Sequence, residues 1–307
     1  MVWKVVSVAL VFLLLVFSFA IMLVNLPVKP VELKSNYLEP ERVAIVDYGA
    51  VPVFAENLRF NHNLISYSIS EDCDVERRSD MEGAFNVFAD EVKIVSFYEV
   101  VTGGDILVGC SNEFVELGEE LFAAGEGGPS RIINTSGFKV IEEGKVLLYS
   151  GRDCDYPIVA LHELCHVFGF AHSDDPDNLM YNVSDCGQRM SSDMIELMID
   201  LYSVEALADA RISELDAVLH GKYLDFNISI LNEGLVGIDG MTLGIVADGE
   251  VVEVVDLGEI DIGYGRTLKV ENMDVGFGVE RVEFVLDAGD VVRELKEDNN
   301  VVEMRAR

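Results

Sequence analysis

Three of the chain's five histidines fall within one short stretch, His162-Glu163-Leu164-Cys165-His166-Val167-Phe168-Gly169-Phe170-Ala171-His172. His162 and His166 are four apart, so on a helix their imidazoles share one face, one turn above the other. That spacing suits two bonds of about 2 Å each to a single zinc ion. Gly169 stands three residues past the second histidine, where a residue tolerating positive φ can end a helix and turn the chain back. His172 then arrives as a third ligand. Three neutral nitrogens leave one position of a tetrahedral zinc open to solvent, the arrangement of a catalytic and not a structural site. Glu163 is expected beside the metal without binding it. A carboxylate there can take a proton from water at the zinc and pass it to a leaving amine.

The helix that carries these residues is expected to begin near Asp155, with Pro157 in its first turn and Asp153 or Asp155 as start signals. Cys165 falls with Ile158, Leu161 and Phe168 on the apolar face, which makes it a buried thiol and not a fourth ligand. Upstream, VAIVDYG and LISYSIS read as strands, and Asp74 to Val92 as a helix with Met81, Ala84, Phe85 and Phe88 at helical spacing. IVSFYEV and DILVGC follow as strands, a strand–helix–strand order that predicts a partly parallel sheet. A glycine-rich loop, Ala123 to Ser130, precedes RIIN and FKVIEEGKVLLY; a third helix is expected over Ser191 to Tyr202. Beyond about Leu207, short alternating runs broken at Gly, Asn or Asp predict a separate β-sandwich.

The N-terminal run Val5 to Val24 carries no charge and is just long enough, at helical rise, to cross a bilayer. Trp3 and Lys4 precede it and suit an interfacial anchor. Ser18-Phe19-Ala20 offers a signal-peptidase site, but the apolar run continues past it, so an uncleaved anchor is the preferred reading and a secreted enzyme released at Ala20 the alternative. Both put the remainder outside the cytoplasm. Pro27 to Pro40 reads as a stalk. The 55 acidic residues outnumber the 22 basic ones, a net charge of −33 that excludes nucleic acid as a partner and keeps the surface soluble. A cationic substrate is the sharper reading of the same charge. Cys73 and Cys110 each end a strand-like run and suit a disulfide, which an exterior address permits; Cys154 and Cys186 flank the histidine motif. Sequons at Asn134, Asn182 and Asn227 fit the same address.

Asn178-Leu179-Met180-Tyr181 places a methionine eight residues after His172. HExxHxxGxxH followed by such a methionine resembles the metzincin clan of zinc endopeptidases. Within that clan, His172-Ser173-Asp174, Leu179-Met180-Tyr181 and a helix from Ser192-Asp193 to Leu201-Tyr202 look most like the matrixins. The resemblance covers His162 to Tyr202 well and Arg42 to Tyr156 faintly. It implies Zn2+ on His162, His166 and His172, Glu163 as catalytic base, and Met180 as the base of a tight turn beneath the metal. Tyr181 stays unassigned, because the clan's tyrosine lies two residues after the methionine. Cys165 stands where matrixins usually carry glycine, and no cysteine-switch motif or second-zinc segment stands in this sequence. The Asp174-Asp175-Pro176-Asp177 stretch reads as a solvated loop sooner than a calcium site. His62 and His220 read as ordinary isolated histidines. Asn232-Glu233-Gly234 and LDAGDVVRELKEDNNVV (Leu286 to Val302) resemble CARDB modules, which implies a spacing or ligand-binding role, and the turn Glu294 to Asn300 reads as hydrogen-bonded and not metal-binding.

The expected organisation is therefore α+β. A transmembrane anchor (1–26) and stalk (27–40) precede a metzincin-like mixed sheet with three helices (41–205) and an all-β Ig-like sandwich (206–307). The expected function is hydrolysis of protein or peptide substrates at the cell surface, with the membrane engaged through the N-terminal helix and a surface ligand open to the C-terminal domain. A catalytically silent binding protein on the same scaffold is the alternative, opposed by the intact base and ligands. Substrate is expected to lie extended along an edge strand near Ser130 to Ile141, adding a strand by backbone hydrogen bonds, with a pocket walled by Asn182 to Met190.

Overall fold

A computed structural model describes residues 13–18, 30–35, 48–49, 51–113, 115–118, 121–149 and 154–306. Residues 13–18 are helical (α1) and belong to the apolar N-terminal run, the rest of which lies outside the described residues. Among the described residues no helix is long and apolar enough to cross a membrane. Most of the expected strand VAIVDYG also lies outside them, as does Asp153.

After β1 (Val31–Ser35), the first sheet is built from β2 (Leu58–Arg59), β3 (Leu64–Ile69), β4 (Ser96–Glu99) and β5 (Ile106–Cys110), with α2 (Val75–Val92) between β3 and β4. A two-stranded hairpin, β6 (Glu116–Gly118) and β7 (Leu121–Phe122), leads into β8 (Gly125–Asn134) and β9 (Lys139–Leu148). The sheet order is β2-β9-β5-β3-β4, all parallel, with β8 antiparallel on the outer side of β9. This is the partly parallel sheet that the strand–helix–strand order predicts. Asp74 caps α2 by accepting from the Arg77 N–H, and Met81, Ala84, Phe85 and Phe88 are buried as their spacing requires. Phe85 stacks on Tyr67 at 4.0 Å and Phe88 on Phe168 at 4.5 Å, which fastens α2 to the sheet and to the end of the histidine helix.

Two departures from the sequence reading concern local structure. The stretch read as a glycine-rich loop is the first half of β8, because its glycines let the strand lie against a helix. The histidine helix, α3 (Ile158–Val167), starts after Pro157 and has no side-chain cap, so Asp155 does not play that part. The following helix, α4 (Ser192–Ser203), has Ser191 as its N-cap residue and buries Met194, Leu197, Met198, Leu201 and Tyr202.

The C-terminal half is a sandwich of β10 (Ala210–His220), β11 (Tyr223–Asn232), β12 (Thr242–Ala247), β13 (Glu250–Asp256), β14 (Gly265–Asp274), β15 (Arg281–Leu286) and β16 (Val301–Ala306). Its core includes Ile212, Phe226, Ile228, Ile245, Phe284 and Met304. The segment read as a stalk supplies an eighth strand. Val31 and Glu32 of β1 pair with β10, while Leu33, Lys34 and Ser35 pair with β16, so one short strand passes from one sheet to the other. The stalk reading rested on its prolines, but none lies within Val31–Ser35. The sandwich meets the first domain beyond the end of β8: Ser136 donates to Glu233, which is held by Arg211 at 2.7 Å, and Leu235 is buried in the first core.

Candidate metal centre

The local chemistry of α3 explains how its histidines are aimed. Gly169, with φ +96°, ends the helix; its N–H bonds the His166 carbonyl at 3.1 Å, and the Phe170 N–H reaches the Cys165 carbonyl at 3.2 Å. This pair of bonds is the Schellman pattern that glycine permits. A Cβ at Gly169 would also press on Leu58, so conformation and space both call for glycine. The turn places the Phe170 carbonyl 2.7 Å from His166 Nδ1, and the chain reaches His172 two residues later.

His162 is fixed by the other wall. Its Nδ1 donates to the Leu179 carbonyl at 2.7 Å. Leu179 opens a tight turn in which the Asn178 side chain accepts from the Met180 N–H at 2.8 Å and the Met180 carbonyl accepts from Ser173 N–H at 2.8 Å. Met180 is 1 % exposed beneath this turn, at the position the clan resemblance implies.

With both Nδ1 atoms committed as donors, the Nε2 lone pairs face inward. His166 Nε2 lies 3.1 Å from His162 Nε2 and 3.2 Å from His172 Nε2. Nitrogens without a proton to share repel at this range unless a cation sits among them. Two nitrogens bound to one tetrahedral zinc at about 2 Å each would stand about 3.3 Å apart, so the donor set, neutral and convergent, fits that ion. Burial holds His162 down to about 4, with His166 and His172 pushing the same way against the Leu179 hydrogen bond, and burial also lowers His166. Both rings are therefore neutral and ligand-ready at physiological pH. Among the described residues these three histidines are the one cluster of His, Cys, Asp and Glu side chains able to hold a metal ion.

Glu163 is 7 % exposed and faces β8. Burial, reinforced by the charge of Glu126, pushes its carboxyl up to about 8. A dication nearby would favour the ionised form. β8 comes unusually close: a Cβ at Gly125 would crowd the Glu163 side chain, and one at Gly127 would overlap its backbone carbonyl. The part of the edge strand beside the site is thus Gly125 to Gly127, earlier in the chain than the Ser130 to Ile141 stretch expected from sequence.

The remaining sequence candidates sort cleanly. Cys165 is a buried free thiol, its pKa raised by burial, and lies outside the histidine cluster. His62 pairs with Asp105 at 3.1 Å and His220 with Asp225 at 3.3 Å, both far from α3 in the chain. The Asp174 to Asp177 stretch forms exposed turns in which Asp175 accepts from the Asp177 N–H at 3.0 Å. Glu294 to Asn300 is a hydrogen-bonded turn, with Asn300 donating to Glu294 at 2.7 Å.

The wall over Asn182 to Met190 is fixed more firmly than its sequence suggests. Cys154 and Cys186 form a disulfide, tying the approach to α3 to this loop, and Cys73 and Cys110 form a second one. Gln188, 2 % exposed, donates to the carbonyls of Pro176 at 3.0 Å and Val183 at 2.9 Å, and Arg189 lies over the Tyr156 ring at 4.0 Å. Arg59 also escaped notice. Fully buried, it donates to the carbonyls of Leu201 at 2.6 Å and Val204 at 2.8 Å, pinning the end of α4 to β2. A lone arginine in a two-residue strand gives no sequence signal for that.

Residues 59–203 match the family model of the matrixins, and residues 200–304 match that of CARDB. Among curated proteins none matches the chain. Among solved structures, a crystal structure of a CARDB domain from Pyrococcus furiosus in complex with di-metal ions is 16% identical, covering 33% of this chain and 88% of that one with a TM-score of 0.28. A solution structure of the same Pyrococcus furiosus domain is 18% identical, covering 33% of this chain and 94% of that one with a TM-score of 0.27.

Proposed function

We propose that this chain, a matrixin-type peptidase segment followed by a CARDB segment, is a zinc-dependent endopeptidase anchored at the cell surface with its catalytic domain outside. The observation that carries the reading is the convergence of three Nε2 atoms, on rings two of which are fixed through Nδ1 by backbone carbonyls; Glu163, the residue after His162, is buried against β8. His162, His166 and His172 hold the metal. Zinc, when bound, would supply Lewis acidity that polarises a carbonyl and lowers the pKa of its bound water toward about 7. Glu163 receives the proton from the attacking water and delivers it to the amine that leaves as the peptide bond breaks. Burial between α3 and β8 keeps that carboxyl in a low-dielectric position, which strengthens each charge it meets. Met180 serves through its turn, whose Leu179 carbonyl orients His162.

The exterior address draws on two disulfides, which persist in oxidising compartments, and on the uncharged N-terminal run. Substrates in this reading are proteins or peptides, and nucleic acid is excluded by charge. The test is metal content together with cleavage of casein or a peptide library, beside Glu163→Ala. The variant should retain zinc and lose cleavage; equal activity in both proteins refutes the mechanism.

A further inference from the structure

Strand β8 is bonded to β9 along one side, and among the described residues no strand pairs with its other side. Gly125 and Gly127 turn toward α3 and touch Glu163. Side chains alternate along a strand, so Glu126, between them, turns to the opposite face. There it is exposed, and its Oε1 accepts a hydrogen bond of 2.7 Å from the Tyr149 hydroxyl at the end of β9. Among the described residues no cation pairs with Glu126; Arg131 and Lys145, on the same two strands, are drawn to Glu143 at 3.5 and 3.4 Å. Among the described residues Glu126 is therefore an oriented carboxylate with no cationic partner, one residue away from each of the two glycines that approach Glu163.

The geometry points to Glu126, positioned by Tyr149, as the specificity-determining residue that selects a lysine or arginine in the substrate within two residues of the cleaved bond. This rests on the peptidase reading. A peptide that adds a strand to the open side of β8 places alternate side chains on the two faces of the sheet. Those facing α3 lie toward Glu163 and the histidines. Those on the other face stand opposite Glu126 with Cβ atoms about 5 Å away, within easy reach of a long basic side chain. The net charge of −33 draws cationic peptides toward the protein at longer range.

The test uses the full-length chain in detergent and fluorogenic peptide pairs that differ only in lysine or norleucine at each position flanking the cleaved bond. Wild type should cleave the lysine member with a kcat/KM about two- to five-fold higher at one position, the scale of an exposed ion pair. The preference should vanish in Glu126→Gln, reverse in favour of norleucine in Glu126→Lys, and weaken in Tyr149→Phe while the norleucine peptide is cleaved as before. A lysine preference of the same size in wild type and Glu126→Gln overturns the inference, and so does the lack of any preference. Binding of both peptides to Glu163→Ala by fluorescence anisotropy reads the same contact without chemistry. Should wild type cleave nothing, tighter lysine-peptide binding that depends on Glu126 sustains the inference while the peptidase reading falls; equal binding ends it.

Discussion

Gly127 and Glu163 meet backbone to backbone, so closely that a single methyl on the glycine would overlap the carbonyl of the proposed base. The edge strand and the histidine helix are in this way spaced by the absence of a side chain. Gly127→Ala should push β8 off α3 and lower cleavage by roughly 10- to 100-fold, because small displacements in an active site are costly. It should also cost about 1–3 kcal/mol of stability through overpacking. Gly128, with nothing near its missing Cβ, is the control, and alanine there should change neither quantity much. Peptide cleavage and thermal unfolding of both variants decide the matter; equal behaviour would remove the contact from the account.

The sandwich contains a carboxyl with a pH signature of its own. Glu294 is 5 % exposed, and burial pushes its pKa up to about 7, with Glu297 and Asp209 adding to the effect against hydrogen bonds from Ala210 and Asn300. Folded protein then binds this proton more tightly than unfolded chain, so its contribution is full below about pH 4.5 and is lost as pH rises through about 7. Glu294→Gln removes that slope. Asn300 Oδ1, buried and without a partner, could accept from the new amide once the Asn300 side chain flips. Unfolding of the two proteins at pH 5 and pH 8 should show the variant gaining stability at the higher pH; parallel curves would refute it.

The two disulfides should separate stability from specificity. They close loops of 37 and 32 residues, each stabilising by about 3–4 kcal/mol on loop-closure entropy. Cys154–Cys186 ties down the wall over Asn182 to Met190, whereas Cys73–Cys110 joins the turn that follows β3 to the last residue of β5. Replacing either pair by serine should lower the unfolding temperature comparably. The Cys154/Cys186 variant should in addition raise KM with a smaller change in kcat. If both variants shift KM alike, the loop is held by Gln188 and Arg189 and the disulfide is incidental to substrate binding.

What could be read ahead of the structure was whatever a local pattern encodes. The histidine cluster was legible because helical spacing and one glycine sit within the short run from His162 to His172, and α2 and α4 because their apolar positions recur at helical period. Three things were not. β8 looked like a loop because a strand that must touch α3 sheds its side chains, so its glycines imitate flexibility. β1 looked like a stalk because five residues are too few for periodicity, and its partners, β10 and β16, lie some 190 and 270 residues away. Carbonyls that orient His162 and His166 are backbone atoms, which leave no mark on residue identity.

Strand β1 offers the most direct check on the domain architecture. Leu33 is 6 % exposed and belongs to the sandwich core, while the neighbouring Glu32 is exposed. The strand joins the two sheets at the point where it changes partner from β10 to β16, so its apolar side chain seals a seam and does not merely decorate an edge. Leu33→Ala should destabilise the sandwich by about 2–5 kcal/mol, the range for a buried leucine. Glu32→Ala should change stability by well under about 1 kcal/mol. Leu33 lies outside the core around α3, so zinc content and kcat at low temperature should stay at wild-type values in both variants. Calorimetry of the full-length chain, with peptide cleavage measured below the transition, separates these expectations. If Leu33→Ala unfolds like Glu32→Ala, the strand does not dock and the sandwich closes without it.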